Sequence, residues 1–344
     1  MTDHQWELLC RIVAGEAVET PPVGFIIDSP WLPGWHGVST LSYYASDRAW
    51  LEANLNAVES FPEVMFIPGF WSEFGMCTEP SAFGAKCSWE TDALPHAHRV
   101  ITEAARAGEI AKPDVRRDGL LPFVIERLAG AQPAMREAGH EIRFAVSRGP
   151  LNIASFLMGT TEFLLALYTE REACEALLKT ITDFVVDWIG YQKERFDTID
   201  AVLVLDDIVG FVGEEDYLQF AHPYLERIFQ SFPFSVKAFH NDAKGLVCAP
   251  HLSGAGINLF NFAFEHGLDE MRALCGEEVT LWGNLPPRDT LAAQSPDEVR
   301  AAAADMVRGC TDPRRVLFSC GGGMPPDVRS EQLRAFVEGC RQEG

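Results

Sequence analysis

The feature that most constrains this chain is a unit that keeps returning: a short apolar run rich in β-branched and aromatic residues, followed by a stretch with helical spacing. The clearest run is AVLVLDD at 201–207, and others lie at 23–28, 64–70, 141–147, 235–242, 257–265, 279–285 and 316–323. Runs of this length between turn signals read as buried strands, and strands regularly separated by helices assemble into a parallel sheet. Eight such units in 344 residues predict an α/β fold, a (β/α)8 barrel built as one domain over 1–344, with a doubly wound open sheet as the alternative. Residues 3–15, DHQWELLCRIVAG, place Trp6, Leu9, Ile12 and Val13 at helical spacing and form an N-terminal helical extension.

Between the strands, further helices are expected at about 47–61 with Asp47 as cap, 95–107, 121–137, 170–196 and 243–250. The 25 residues WSEFGMCTEPSAFGAKCSWETDALP have little period and read as an active-site loop or a β-ribbon insertion. The turn SRGPLN leads from a strand into a helix, so its first N–H groups are available to an anionic group.

A hydrophobic share of 47% lets the chain bury a full core, while the net charge of −22 argues against binding nucleic acid or an anionic membrane. No run approaches the roughly 20 apolar residues of a membrane span, and the charged opening MTDHQWELLC does not read as a signal peptide, so a cytoplasmic location is expected. Nine cysteines with no C-x-x-C pair fit a reduced compartment.

In a barrel of this kind, chemistry collects at the C-terminal ends of the strands. Asp206, His240, Glu265, Asn284 and Cys320 all fall at or just past such ends and are expected to converge on one mouth. His240 and Asp242 are two residues apart on an extended segment, so they face the same way and, with Cys320, offer imidazole, carboxylate and thiolate to a zinc ion. Asp242 also reads as the N-cap of a following helix, and His96 and His98 read as structural. Asp206 and Asp207 end a buried strand, where a carboxylate needs a partner: a substrate, a cap, or an ion pair with Lys237 or Arg148. Arg148, Asp207, Tyr217, Trp282 and Asn284 are candidates to line a substrate pocket, and Asp206 to donate a proton.

Six segments, WELLCRIVAGEAVETPPVGF, EF…PSAFGAKCSWETDALP, SRGPLNIASFLMG, LDDIVGF…EEDYLQFAHPYLERIF, GNLPPRDTL with SPDEVR, and FSCGGGMPPDVRSEQL, carry a resemblance. In their order and spacing the chain resembles the superfamily that joins uroporphyrinogen decarboxylase to the zinc-dependent methyltransferases acting on cobalamin or corrinoid proteins. The decarboxylase branch has an arginine-bearing M-R-Q-A-G-R-Y loop after its first strand and a histidine in its last turn; here those places read SPWLPGWHG and SCGGGM. The methyltransferase branch has H-x-C and, 75 to 80 residues later, a further cysteine; His240 and Cys320 match the ends of that pattern, and Asp242 stands at the middle cysteine. The resemblance therefore implies a zinc or other divalent metal site on His240, Asp242 and Cys320, with Glu265 as a fourth ligand. It further implies a small methyl donor or thiol acceptor as substrate, and a corrinoid as co-substrate. No D-x-H-x-x-G motif occurs, so the corrinoid is expected to come free or on a separate corrinoid protein. The alternatives are a metal-free, decarboxylase-like lyase working through Asp206 on a small carboxylated substrate, and a barrel that binds a ligand without turnover.

Overall fold

A computed structural model describes residues 1–243 and 246–342. Eight parallel strands follow one another around the centre: β1 Gly24–Ile26, β2 Met65–Ile67, β3 Phe144–Arg148, β4 Ala201–Leu205, β5 Val236–Asn241, β6 Leu259–Phe262, β7 Thr280–Leu285 and β8 Val316–Cys320. Strands β3 to β8 form a continuous six-stranded ladder, β1 pairs with β2, and a bridge from Val23 to Phe318 joins the two sheets. The barrel expected from the strand count is the fold observed.

Alternation along the strands sorts their side chains into two cores. Ile26, Met65, Phe144, Leu203, Ala238, Leu259, Trp282 and Leu317 belong to an inner cluster, whereas Phe25, Val202, Val204, Phe239, Phe260, Val316, Phe318 and Cys320 pack in the outer layer. The N-terminal helix Asp3–Ala14 starts at a Thr2–Gln5 capping box, and its Leu9, Ile12 and Val13 join the inner cluster, closing the barrel at the N-terminal ends of the strands.

Several local expectations need correcting. Ser46, not Asp47, accepts the capping hydrogen bond of the helix Asp47–Ser60, because its extended backbone is one residue better placed. Instead of a helix at 95–107 there is a ribbon, Cys87–Ser88 against His96–Ala97, followed by the 3-10 turn Ala104–Glu109; the preceding loop carries that ribbon, and its Trp71, Glu73, Gly75, Met76 and Leu94 also line the cavity at the barrel mouth. The expected helix at 243–250 includes Lys244 and Gly245, which lie outside the described residues, and its end is the 3-10 turn Ala249–His251. Among the described residues no single helix is long and apolar enough to cross a membrane.

Candidate metal centre at the barrel mouth

Register brings the site together. Leu205 of β4 pairs with His240 of β5, and His240 pairs with Asn261 of β6, so all three project toward the barrel interior at the same height. Asn261 Nδ2 donates to Trp282 O at 2.8 Å, which turns its Oδ1 toward His240 Nδ1 at 2.7 Å. A carboxamide held in that sense accepts only at Oδ1, so Nδ1 of His240 is the donor to it and Nε2 is the nitrogen left for a carboxylate or, once its proton is displaced, for a cation. Nε2 faces two carboxylates, Asp207 Oδ1 at 3.4 Å and Asp242 Oδ2 at 4.0 Å. Potential ligand atoms of Asp207, His240 and Asp242 all lie within 4.8 Å of one another. An imidazole fixed by a hydrogen bond on its far nitrogen, beside two carboxylates, is an N/O donor set suited to a divalent cation.

The three residues line a cavity of about 230 Å³, whose walls include Asp28, Trp71, Glu73, Arg148 and Arg288. Glu73 is buried and accepts from Ser29 N and Ser29 Oγ at 3.2 and 2.7 Å, while its other oxygen is 3.5 Å from Arg148 Nη2. Gly322, at φ +90°, backs Asp242 so closely that a Cβ there would come within 2.9 Å of its carboxylate; no other residue type fits this turn without displacing the acid.

Charge follows from this packing. Burial alone would depress the His240 imidazole, but the hydrogen bond and charge of Asp207, with the charge of Asp242, raise it to about 9. Burial pushes Asp207 up, and the same imidazole outweighs it and holds the acid at about 2. Asp28 is raised well above the usual carboxylate range by burial and then by the nearby charge of Glu73.

The other expected site residues lie elsewhere. Cys320 has the wrong parity: Leu317 faces the interior, so Cys320 joins the outer layer with Val316 and Phe318, its Sγ 3.5 Å from Gly322 O and its thiol pushed up to about 12 by burial. Glu265 is exposed and outside the three-residue cluster. Asp206 also faces the outer layer, where its two oxygens accept Leu151 N at 2.8 Å and Asn152 N at 2.9 Å; the anion expected at the SRGPLN helix start is this protein's own carboxylate. The five strand-end residues thus do not converge, because adjacent positions on a strand point to opposite faces. Tyr217 is buried in the outer layer, stacked on His251. Trp282 belongs to the inner core, with Nε1 on Gly24 O at 2.8 Å, and Asn284 Nδ2 donates to His266 O.

Residues 4–343 match the family model described as uroporphyrinogen decarboxylase (URO-D). The chain belongs to the uroporphyrinogen decarboxylase family. It is 24% identical to the uroporphyrinogen decarboxylase of Dichelobacter nodosus over 96% of both chains, and 24% identical to that of Schizosaccharomyces pombe over 98% of both. A further match, 27% identical to the Pelodictyon phaeoclathratiforme enzyme, spans 52% of this chain and about half, 51%, of that protein. Among solved structures, a methyltransferase from Methanosarcina mazei superposes with a TM-score of 0.81 at 17% identity, covering 97% of each chain. A B12-independent methionine synthase from Shewanella sp. W3-18-1, in complex with selenomethionine, superposes at 0.58 with 12% identity over 94% of this chain and 98% of its own. These relatives and neighbours are enzymes, and the two solved structures share the fold of this chain.

Within the family fold, Asn261, Asp28 and Glu73 are the parts of this site that sequence reading missed. A visible signal existed for Asn261, a lone amide inside the apolar run INLFNFAFE, since a buried amide needs partners. Replacing it by leucine frees the imidazole to rotate or change tautomer. Isothermal titration should then show zinc affinity roughly 10- to 100-fold weaker, with the fold intact by circular dichroism.

Proposed function

We propose that this family member is a metal-dependent methyltransferase, holding one divalent ion, zinc first, on His240, Asp207 and Asp242, and moving a methyl group between a small substrate and a corrinoid. The observation that supports this reading is the fixed His240 imidazole with Nε2 aimed at two carboxylates on the edge of a cavity. When bound, the ion supplies Lewis acidity that favours the anionic form of a thiol or hydroxyl held against it. Asn261 keeps Nε2 in the ligating sense, and Asp207 and Asp242 balance the cation's charge. Arg148, its guanidinium over the Trp71 ring at 5.7 Å and only loosely paired with Glu73, anchors one anionic group of a substrate. Cys320, lying outside the cluster, leaves an oxygen-richer donor set than the sequence alone suggests, and Mn²⁺ or Fe²⁺ becomes a competitor of Zn²⁺.

A polycarboxylate fits poorly. Arg148 and Arg288 are the guanidinium groups that the cavity walls offer, and Arg148 already stands beside Glu73, so a substrate with many carboxylates finds few cationic partners apart from the ion itself. A metal-free lyase working through Asp206 also loses support, because that carboxylate is occupied by two helix N–H groups.

The test uses protein purified without chelators, loaded with zinc, and mixed with methylcobalamin and a panel of thiols and alcohols. Demethylation of the corrinoid, followed by its visible spectrum and lost in His240→Gln, is the expected result. Metal content below about a tenth of an equivalent that added zinc does not restore would overturn the reading.

A further inference from the structure

Among the described residues no backbone ladder joins β2 to β3, the one seam where this barrel is not closed by strand pairing. The free edge of β3 is satisfied by side chains instead. The Gln192 carboxamide, from the long helix Arg171–Arg195, accepts Val146 N at 2.9 Å and donates to Val146 O at 3.0 Å, taking the place of a neighbouring peptide group. Glu79 Oε1 accepts Arg148 N at 2.9 Å. Side chains fill a seam less completely than a strand, and a cavity of about 30 Å³ remains between them.

Three residues that line the cavity each carry a buried polar atom with no protein partner: Ser72 Oγ, Glu79 Oε2 and Trp188 Nε1. They belong to different segments, their residues are 4%, 4% and 1% exposed, and a buried polar atom left unpaired costs about 1–3 kcal/mol. Their chemistry is complementary to water: the indole N–H donates, the carboxyl oxygen accepts, and the hydroxyl does either. A volume of this size holds about two water molecules, each of which needs two or more polar neighbours. The cavity shares Trp71, Glu73, Gly75 and Arg148 with the larger cavity at the metal centre.

We propose that the unpaired β2–β3 seam is a built hydration site, in which about two water molecules bridge Ser72, Glu79 and Trp188 and thereby hold Arg148 in place beside the functional cavity. Glu79 is the positioning residue: one oxygen holds the Arg148 peptide N–H and the other is anchored through water. The geometry makes the site independent of whether a metal or a methyl group is ever handled nearby.

High-resolution crystal structures of the wild type, Glu79→Gln and Glu79→Met test this, with oxygen-17 relaxation dispersion counting long-lived internal waters in solution. Wild type and Glu79→Gln should show water density within hydrogen-bond reach of Ser72 Oγ and Trp188 Nε1. Glu79→Met should lose it, lower the count by about two, and shift the Arg148 guanidinium away from Glu73. Zinc affinity at His240 should be unchanged in all three. Should Glu79→Met fail to fold, Ser72→Ala and Trp188→Phe each remove one partner and should lower the water occupancy. A wild-type cavity without water density overturns the hydration site, and an Arg148 that stays in place once the water is gone overturns its positioning role.

Discussion

At the proposed metal site, exchanging His240 for glutamine should weaken zinc binding roughly a hundredfold or more, since it removes the one nitrogen donor of the three-residue set. The pH dependence of the wild type gives a second, sharper readout. With the imidazole raised to about 9 by Asp207 and Asp242, the metal-free protein carries a proton on His240 at neutral pH that the ion must displace. Zinc uptake at pH 7 should therefore release close to one proton, measurable by titration in buffers of different ionisation enthalpy, and the apparent affinity should climb about tenfold per pH unit below that pKa. Glutamine at 240 should release none. In the metal-free protein the sign for stability is the reverse. A raised histidine pKa stabilises fully below the unfolded value near 6.5 and is lost as pH rises through about 9, a decline on the order of 3 kcal/mol. The matching contribution of Asp207, held at about 2, is present above the ordinary aspartate value and disappears only as pH falls through about 2. Chemical denaturation of the chelated protein should thus show stability falling from pH 6.5 to 9 in the wild type and nearly flat in the glutamine variant.

The barrel was legible because eight runs spaced by helices leave few other packings, and the mouth was legible because strand ends carry polar residues. What could not be read was which way each end residue points. A half-buried strand displays its parity as alternation, but AVLVL is apolar throughout, VLFSC is interrupted only by Ser319, and both are buried on both faces, so little in them separates inward from outward. Register decides it, and register is set by neighbouring strands far away in sequence. That is why Cys320 could be placed at a strand tip yet not on its outer side, and why the sequence points to Asp206 as the reacting acid while Asp207 is the one that faces His240. His240 and Asp242 suffered less, since their two-residue spacing preserves a common face whatever the register. The SRGPLN turn was correctly read as an anion site, but a distant carboxylate filling it is a tertiary fact.

The adjacent aspartates give the second large effect, and they should behave as opposites. Asp206 is fully buried and its carboxylate takes the N–H groups of Leu151 and Asn152 at the start of the helix Pro150–Met158, whose N-terminus favours negative charge. The fit is so close that a Cβ on Gly149 would lie 2.3 Å from Asp206 Oδ2, which accounts for glycine there although its φ of −79° suits any residue. Asp206→Ala strands two buried N–H groups, and at about 1–3 kcal/mol for each, unfolding stability should drop by roughly 2–6 kcal/mol. Zinc affinity in whatever fraction stays folded should change little. Asp207, half-buried and facing the imidazole, should give the reverse pattern as Asp207→Ala: a loss of stability that belongs to its pairing with the charged imidazole and fades as pH rises through about 9, a His240 pKa that falls back toward its ordinary value, and zinc binding weakened in step with the His240 variant. Urea denaturation, zinc titration and the histidine NMR titration of both variants make the comparison. Equal losses of metal affinity in the two would place Asp206 at the metal centre after all, against its hydrogen bonding to the helix. Equal losses of stability above pH 9, where the imidazole is neutral, would mean that Asp207, through its contacts to Asn152 and the Asp242 N–H, is as much a part of the fold as its neighbour.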